Sequence, residues 1–211
     1  LQQVANWRFI FRVLFMPEKT LYIIAGCNGA GKTTASFTLL PDVLDCREFV
    51  NADEIARGLS PFQPEKVALE AGRIMLRRVD ELLGRDETFA LETTLATKLY
   101  QQKIRAAQQQ GYTVVLLYFW LNNPELAQER VKTRVAEGGH YIAPDVIERR
   151  YWQGLHLLFT NYLPLVDEAS LYDNSNGEPV LLAQKLTDGL HVRNETLYNQ
   201  LRHCYEFGRT N

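Results

Sequence analysis

Cysteine is scarce in this 211-residue chain: Cys27, Cys46 and Cys204 are the full complement, an odd number without metal-ligand or redox-pair spacing. That excludes a disulfide framework or zinc ribbon and points to a reducing compartment, so a cytoplasmic location is expected. Long apolar runs are missing as well. No window approaches the roughly 20 apolar residues that a bilayer helix needs, so no membrane partner is expected. Neither sign of charge dominates, with 23 Lys and Arg against 25 Asp and Glu. Without a broad basic field, nucleic acid is not an expected partner, and any bound anion must be caught at a local site. Apolar residues, by contrast, are plentiful: 46% hydrophobic and 23% charged is globular usage and excludes disorder.

Residues 1–15 contain WRFIFRVLF, but Arg12 interrupts the apolar run and no small-residue cleavage site follows. An N-terminal extension is therefore expected rather than a signal peptide, with Met16 opening a single domain over residues 16–211. Apolar runs of strand length then alternate with helical patterns, which predicts an α/β fold with a parallel sheet flanked by crossover helices. Strands are expected at residues 20–25, 48–50, 88–91, 113–121 and 170–172; TVVLLYFWL reads as a central strand buried on both faces. Pro64 opens a helix that Gly84 closes, a second helix spans about 99–110, and Asn123-Pro124 caps a third that runs out at Gly138-Gly139. Pro144 begins a fourth. The excursion over about 124–160 therefore reads as a helical lid. Near the end, PVLLAQKL, Thr187-Asp188-Gly189 and LHV predict a small β-hairpin, after which Asn194 caps a last helix.

Residues 26–33, GCNGAGKT, match the phosphate-loop pattern GxxxxGK[ST] and sit between a strand and a helix, the context in which that pattern works. Gly26, Asn28, Gly29, Ala30 and Gly31 would curl backbone N–H groups round a phosphate. Lys32 would reach the β- and γ-phosphates, Thr33 would ligate Mg²⁺, and Thr34 opens the helix whose N-terminus favours anions. ATP and Mg²⁺ are thus the expected cofactors. No NKxD guanine-reading motif and no LSGGQ-type signature occurs, which argues against a GTPase and a transporter ATPase. Cys27 reads as a passive small residue of the loop rather than a redox switch.

Two carboxylates, Asp53 and Glu92, follow strands on the same side as the phosphate loop, where open α/β sheets place their ligands. Phosphoryl transfer needs a base or positioning carboxylate for the attacking hydroxyl, and Asp53 suits that task. The alternative for Asp53 is an Asn/Asp helix cap before EIARGL, and for Glu92 a structural carboxylate. Arg134, Arg149 and Arg150 flank Gly138-Gly139-His140, so lid closure would bring guanidinium forks onto the phosphates. His140 reads as a loop-ordering residue. Arg57, Thr93 and Thr94 are candidates for the acceptor pocket, Asn174 for the adenine loop, and Trp120, Tyr151 and Trp152 for the core or the underside of the lid.

Taken in order, GCNGAGKTT, NADEIARGLSP, ALETTLA, RVAEGGHYIAPDVIERRY and YDNS resemble the zeta-toxin family of P-loop kinases, in its small stand-alone branch. The resemblance spans about residues 21–175. It implies a nucleotide-kinase-like fold and ATP-dependent phosphorylation of a sugar hydroxyl, for which the best-known acceptor is the nucleotide sugar UDP-N-acetylglucosamine. It also implies Lys32 and Thr33 as nucleotide and Mg²⁺ residues, Asp53 as the base, and Glu92 as a second acidic residue near acceptor and metal. Arg134 and Arg149, with Arg150 as the alternate, become the lid arginines, and an antitoxin protein becomes a candidate partner. Two other readings stay open: a kinase for another nucleotide or dinucleotide ribose, and an ATP-binding toxin or regulatory component acting through a protein partner.

Overall fold

A computed structural model describes residues 19–208; the expectations for residues 1–15 and Met16 lie outside them. Five parallel strands form the expected sheet: β1 (Thr20–Ala25), β2 (Glu48–Val50), β3 (Phe89–Thr93), β4 (Thr113–Trp120) and β5 (Glu168–Asp173). β1 is buried along its whole length, as a strand covered on both faces must be. The hairpin β6 (Val180–Leu186) and β7 (Gly189–Val192) is not a separate feature. β6 pairs antiparallel with β5, so the sheet has seven strands in the order β2-β3-β1-β4-β5-β6-β7. The extension satisfies the backbone edge that β5 would otherwise expose.

Helices α1 (Lys32–Asp42), α2 (Ala52–Leu59), α3 (Ala68–Gly84), α4 (Tyr100–Gln109), α5 (Pro124–Ala136), α6 (Pro144–Leu157) and α7 (Glu195–Phe207) accompany the sheet. Pro64 opens a 3₁₀ turn, Pro64–Val67, and the α-helix proper starts only at Ala68. Asn123 caps α5 by accepting from the Leu126 N–H at 2.7 Å, and Asn194 caps α7 through Leu197 at 3.1 Å. α6 runs on through a π turn, Leu158–Tyr162. The core lies around β1 and β4, where Ile23, Leu116 and Phe119 have no exposed surface. Trp120 is buried with them, its indole N–H donating to the Tyr151 hydroxyl of α6 at 3.1 Å, so α6 is tied to the central strand. Trp152 packs edge-on against Tyr151 on the same helix. Among the described residues no helix is long and apolar enough to cross a membrane.

Candidate active site

The phosphate loop emerges from β1 and is shaped by contacts that only glycine permits. A Cβ on Gly26 would lie 2.1 Å from the Phe119 carbonyl oxygen, and one on Gly31 would lie 2.5 Å from Nδ2 of Asn174; both glycines have positive φ. Asn174 donates that amide to the Ala30 carbonyl at 2.8 Å, so it braces the loop from the end of β5. Arg130 of α5, absent from the sequence-based candidates, braces Asn174 in turn. Its guanidinium donates to the Asn174 and Ser175 carbonyls at 2.9 and 2.8 Å. The signal that could have found it is its place one helical turn before Arg134. Asn28 and Ala30 are buried, Gly29 is half-buried, and Thr34 is exposed at the start of α1. Burial pushes the Cys27 thiol up to about 11, which keeps it protonated and agrees with a passive role.

Lys32 and Thr33 converge on Glu92. The Lys32 ammonium donates to the Cys27 carbonyl at 2.8 Å and stands 3.8 Å from the Glu92 carboxylate. Thr33 donates its hydroxyl to Glu92 at 2.8 Å. Sheet register sets this meeting: Glu92 of β3 pairs with Ile24 of β1, and Val50 of β2 pairs with Leu91, so Asn51 follows directly beside Glu92. The Asn51 amide donates to Glu92 at 2.9 Å. Burial raises the Glu92 carboxyl above its ordinary value, opposed by Lys32 and the Thr33 hydroxyl. Thr33 and Glu92 offer two hard oxygens, a fitting partial set for Mg²⁺, which is usually shared between one or two protein ligands, phosphates and water.

The cap of α2 is Asn51, not Asp53: the Asn51 side-chain oxygen accepts from the Asp53 N–H at 2.8 Å. The Asp53 carboxylate is thereby left free of capping and half-exposed, 3.9 Å from His140 Nε2. Asp53, Ala56, Glu65, His140, Tyr141 and Arg150 line one cavity of about 480 Å³. Burial holds the His140 imidazole below its usual range, with Asp53 opposing the effect and Arg134, Arg57 and Arg150 adding to it. Arg57 is exposed and pairs with Glu54 at 3.3 Å. Thr93 accepts from the Leu95 N–H at 3.0 Å and so shapes the loop after β3. Thr94 is half-buried in the same loop, its carbonyl 2.5 Å from where a Cβ on Gly154 would stand.

The lid arginines divide. Arg150 donates to the Asn28 side chain at 3.3 Å and so reaches the phosphate loop from the cavity wall. Arg149 does not join it: that residue is exposed and lines a different cavity, of about 840 Å³, with Trp152 and Phe207. Successive helix residues lie about 100° apart, and Ile147 and Tyr151 face the core, which puts Arg150 on the inner side of α6. Arg134 lies under the lid loop, where the Gly139 N–H donates to its carbonyl at 2.8 Å. Its Nε and Nη2 are buried without a hydrogen-bond partner among the described residues. Buried guanidinium nitrogens left unpaired are costly, and an incoming phosphate is the partner their chemistry fits.

A family profile described as an AAA domain matches residues 21–151, which takes in the phosphate loop, Asp53, Glu92, all of α5 and the first part of α6. An uncharacterized protein of Haemophilus influenzae is 30% identical over 139 residues, covering 65% of this chain and 96% of the relative. Among solved structures, a chain of the AvrRxo1-ORF1:AvrRxo1-ORF2 complex with ATP superposes with a TM-score of 0.70 at 17% identity, covering 94% of this chain and 67% of that one. A chain from the PezAT chromosomal toxin-antitoxin system of Streptococcus pneumoniae gives 0.64 at 16% identity, covering 99% and 92%. A putative kinase from Chloroflexus aurantiacus gives 0.58 at 16%, covering 92% and 99%. The chain belongs to the AAA domain family, and it shares its fold with these solved structures, the PezAT chain among them.

Proposed function

We propose that the protein is a Mg·ATP-dependent phosphotransferase that moves the γ-phosphoryl group of ATP to a hydroxyl of a small molecule. The observation that carries this reading is the shared cavity of Asp53 and Arg150, with Arg150 bridging from it to Asn28 of the phosphate loop. A hydroxyl held in that cavity would lie between a carboxylate and the loop built for phosphates, the arrangement that in-line transfer requires. Asp53 accepts the hydroxyl proton as the oxygen bonds to the γ-phosphorus and the bridge to ADP breaks. Lys32, Arg134 and Arg150 stabilise the charge on the transferring group. Thr33 and Glu92 would hold Mg²⁺, which neutralises phosphate charge when bound.

The family resemblance brings forward a sugar hydroxyl of a nucleotide sugar such as UDP-N-acetylglucosamine as the acceptor. A protein partner of the antitoxin kind is proposed on the same footing, and a cytoplasmic setting on the three cysteines without pair spacing. The test is ADP formation with and without added acceptor. Acceptor-dependent ADP formation that disappears in Asp53→Asn, while a fluorescent ATP analogue still binds, supports the reading. ADP formation indifferent to both acceptor and Asp53 contradicts it.

A further inference from the structure

One amide side chain joins the two halves of the candidate site. Asn51 is 6% exposed and stands at the switch from β2 to α2. Its side-chain oxygen accepts from the N–H groups of Asp53 and Glu54 at 2.8 and 3.4 Å, which fixes the first turn of the helix that carries Asp53. Its side-chain nitrogen donates to Glu92 Oε2 at 2.9 Å, the same oxygen that accepts from the Thr33 hydroxyl at 2.8 Å. A buried amide has few alternative partners, so both ends are held where they are. Of the polar side chains capping α2, α5 and α7, those of α5 and α7, Asn123 and Asn194, lie at the starts of helices away from this carboxylate.

We propose that Asn51 is a positioning residue that couples metal-linked nucleotide binding at Thr33 and Glu92 to the alignment of Asp53. This rests on the phosphotransferase reading for Asp53, while its metal half stands on the Thr33–Glu92–Asn51 contacts alone. The amide orients Glu92 through Oε2 and leaves the carboxylate's other oxygen, 3.0 Å from the Thr33 hydroxyl, open to a metal. A shift of Glu92 would thus be passed through the same side chain to the first turn of α2. Only a side chain with both an acceptor and a donor does this. Serine keeps the acceptor that caps the helix and shortens the reach to Glu92. Aspartate keeps both the shape and the cap, but sets a second carboxylate against the first.

The experiment compares Asn51→Ser and Asn51→Asp with wild type, and with Asn194→Ser as a matched change at a remote helix cap. Affinity for ATP is measured by titration calorimetry with Mg²⁺ and with EDTA, alongside thermal melting. The ratio of the two affinities needs no acceptor, so it is read even if the phosphotransferase reading fails. The expected result is that Asn51→Ser lowers this Mg²⁺ enhancement about tenfold, that Asn51→Asp changes it by a similar factor, and that Asn194→Ser leaves it unchanged. Where acceptor-dependent transfer is present, kcat should fall in both Asn51 variants, and KM for Mg·ATP should move with the altered Mg²⁺ enhancement. If Asn51→Ser fails to fold, Asn51→Asp, which keeps both cap and shape, decides the matter. A wild-type Mg²⁺ enhancement in a folded Asn51 variant overturns the proposal. So does an equal loss in Asn194→Ser, which would mark a general effect of cap weakening.

Discussion

The Arg150 guanidinium donates to the Asn28 side-chain oxygen of the phosphate loop at 3.3 Å, while its neighbour Arg149 lines a cavity on the other side of the same helix. Substituting the two therefore separates a contact to the phosphate loop from a surface charge. Arg150→Ala should reduce turnover on the order of 10³-fold, as the loss of an arginine that stabilises a transferring phosphoryl group does. Arg149→Ala should stay near wild type. Steady-state kinetics on the two purified variants checks this, and equal losses would contradict the assignment.

The phosphate loop, the five parallel strands and the caps at Asn123 and Asn194 were legible because each rests on short-range chemistry: glycine backbone freedom, apolar runs of strand length and side-chain capping. The hairpin was legible too, but its docking on β5 was not, since edge pairing is a long-range event. Arg149 and Arg150 differ only in helical phase, and the core-facing Ile147 and Tyr151 carried that phase in the sequence. The bonds of Asn51 to Glu92 and of Arg130 to Asn174 and Ser175 are not legible in the sequence because only the sheet brings these partners near.

Burial raises the Glu92 carboxyl above its ordinary value, so its protonated form is favoured more in the folded protein than in the unfolded chain. A group raised on folding contributes stability below its unfolded value and loses that contribution as pH rises through the folded value. At neutral pH the ionised side chain is therefore a cost carried for function. Glu92→Gln keeps an oxygen for Thr33 and Asn51 and should melt a few degrees higher at neutral pH. That gain should shrink toward pH 4.5, and Mg²⁺-dependent turnover should be lost. Melting curves across this range check the sign, and a variant that melts lower at neutral pH contradicts it.

Gly26 has φ of +142°, and a Cβ there would meet the Phe119 carbonyl oxygen at 2.1 Å. Gly26→Ala must displace either the loop or the end of β4. It should cost about 2–4 kcal/mol of stability and abolish ATP binding together. Urea unfolding and nucleotide titration on the same preparation measure both. Unimpaired ATP binding would mean that the loop has room which this packing denies.

The central claim is transfer of a phosphoryl group to a hydroxyl with Asp53 as the base. Phosphorus NMR of the protein with Mg·ATP and UDP-N-acetylglucosamine, wild type beside Asp53→Ala, tests it most directly. The account predicts a new phosphomonoester signal in the wild type and a rate about 10²–10⁴-fold lower in Asp53→Ala. A phosphomonoester that grows equally fast in both proteins, or ATP that binds and yields only inorganic phosphate with this and every other hydroxyl acceptor offered, would contradict it.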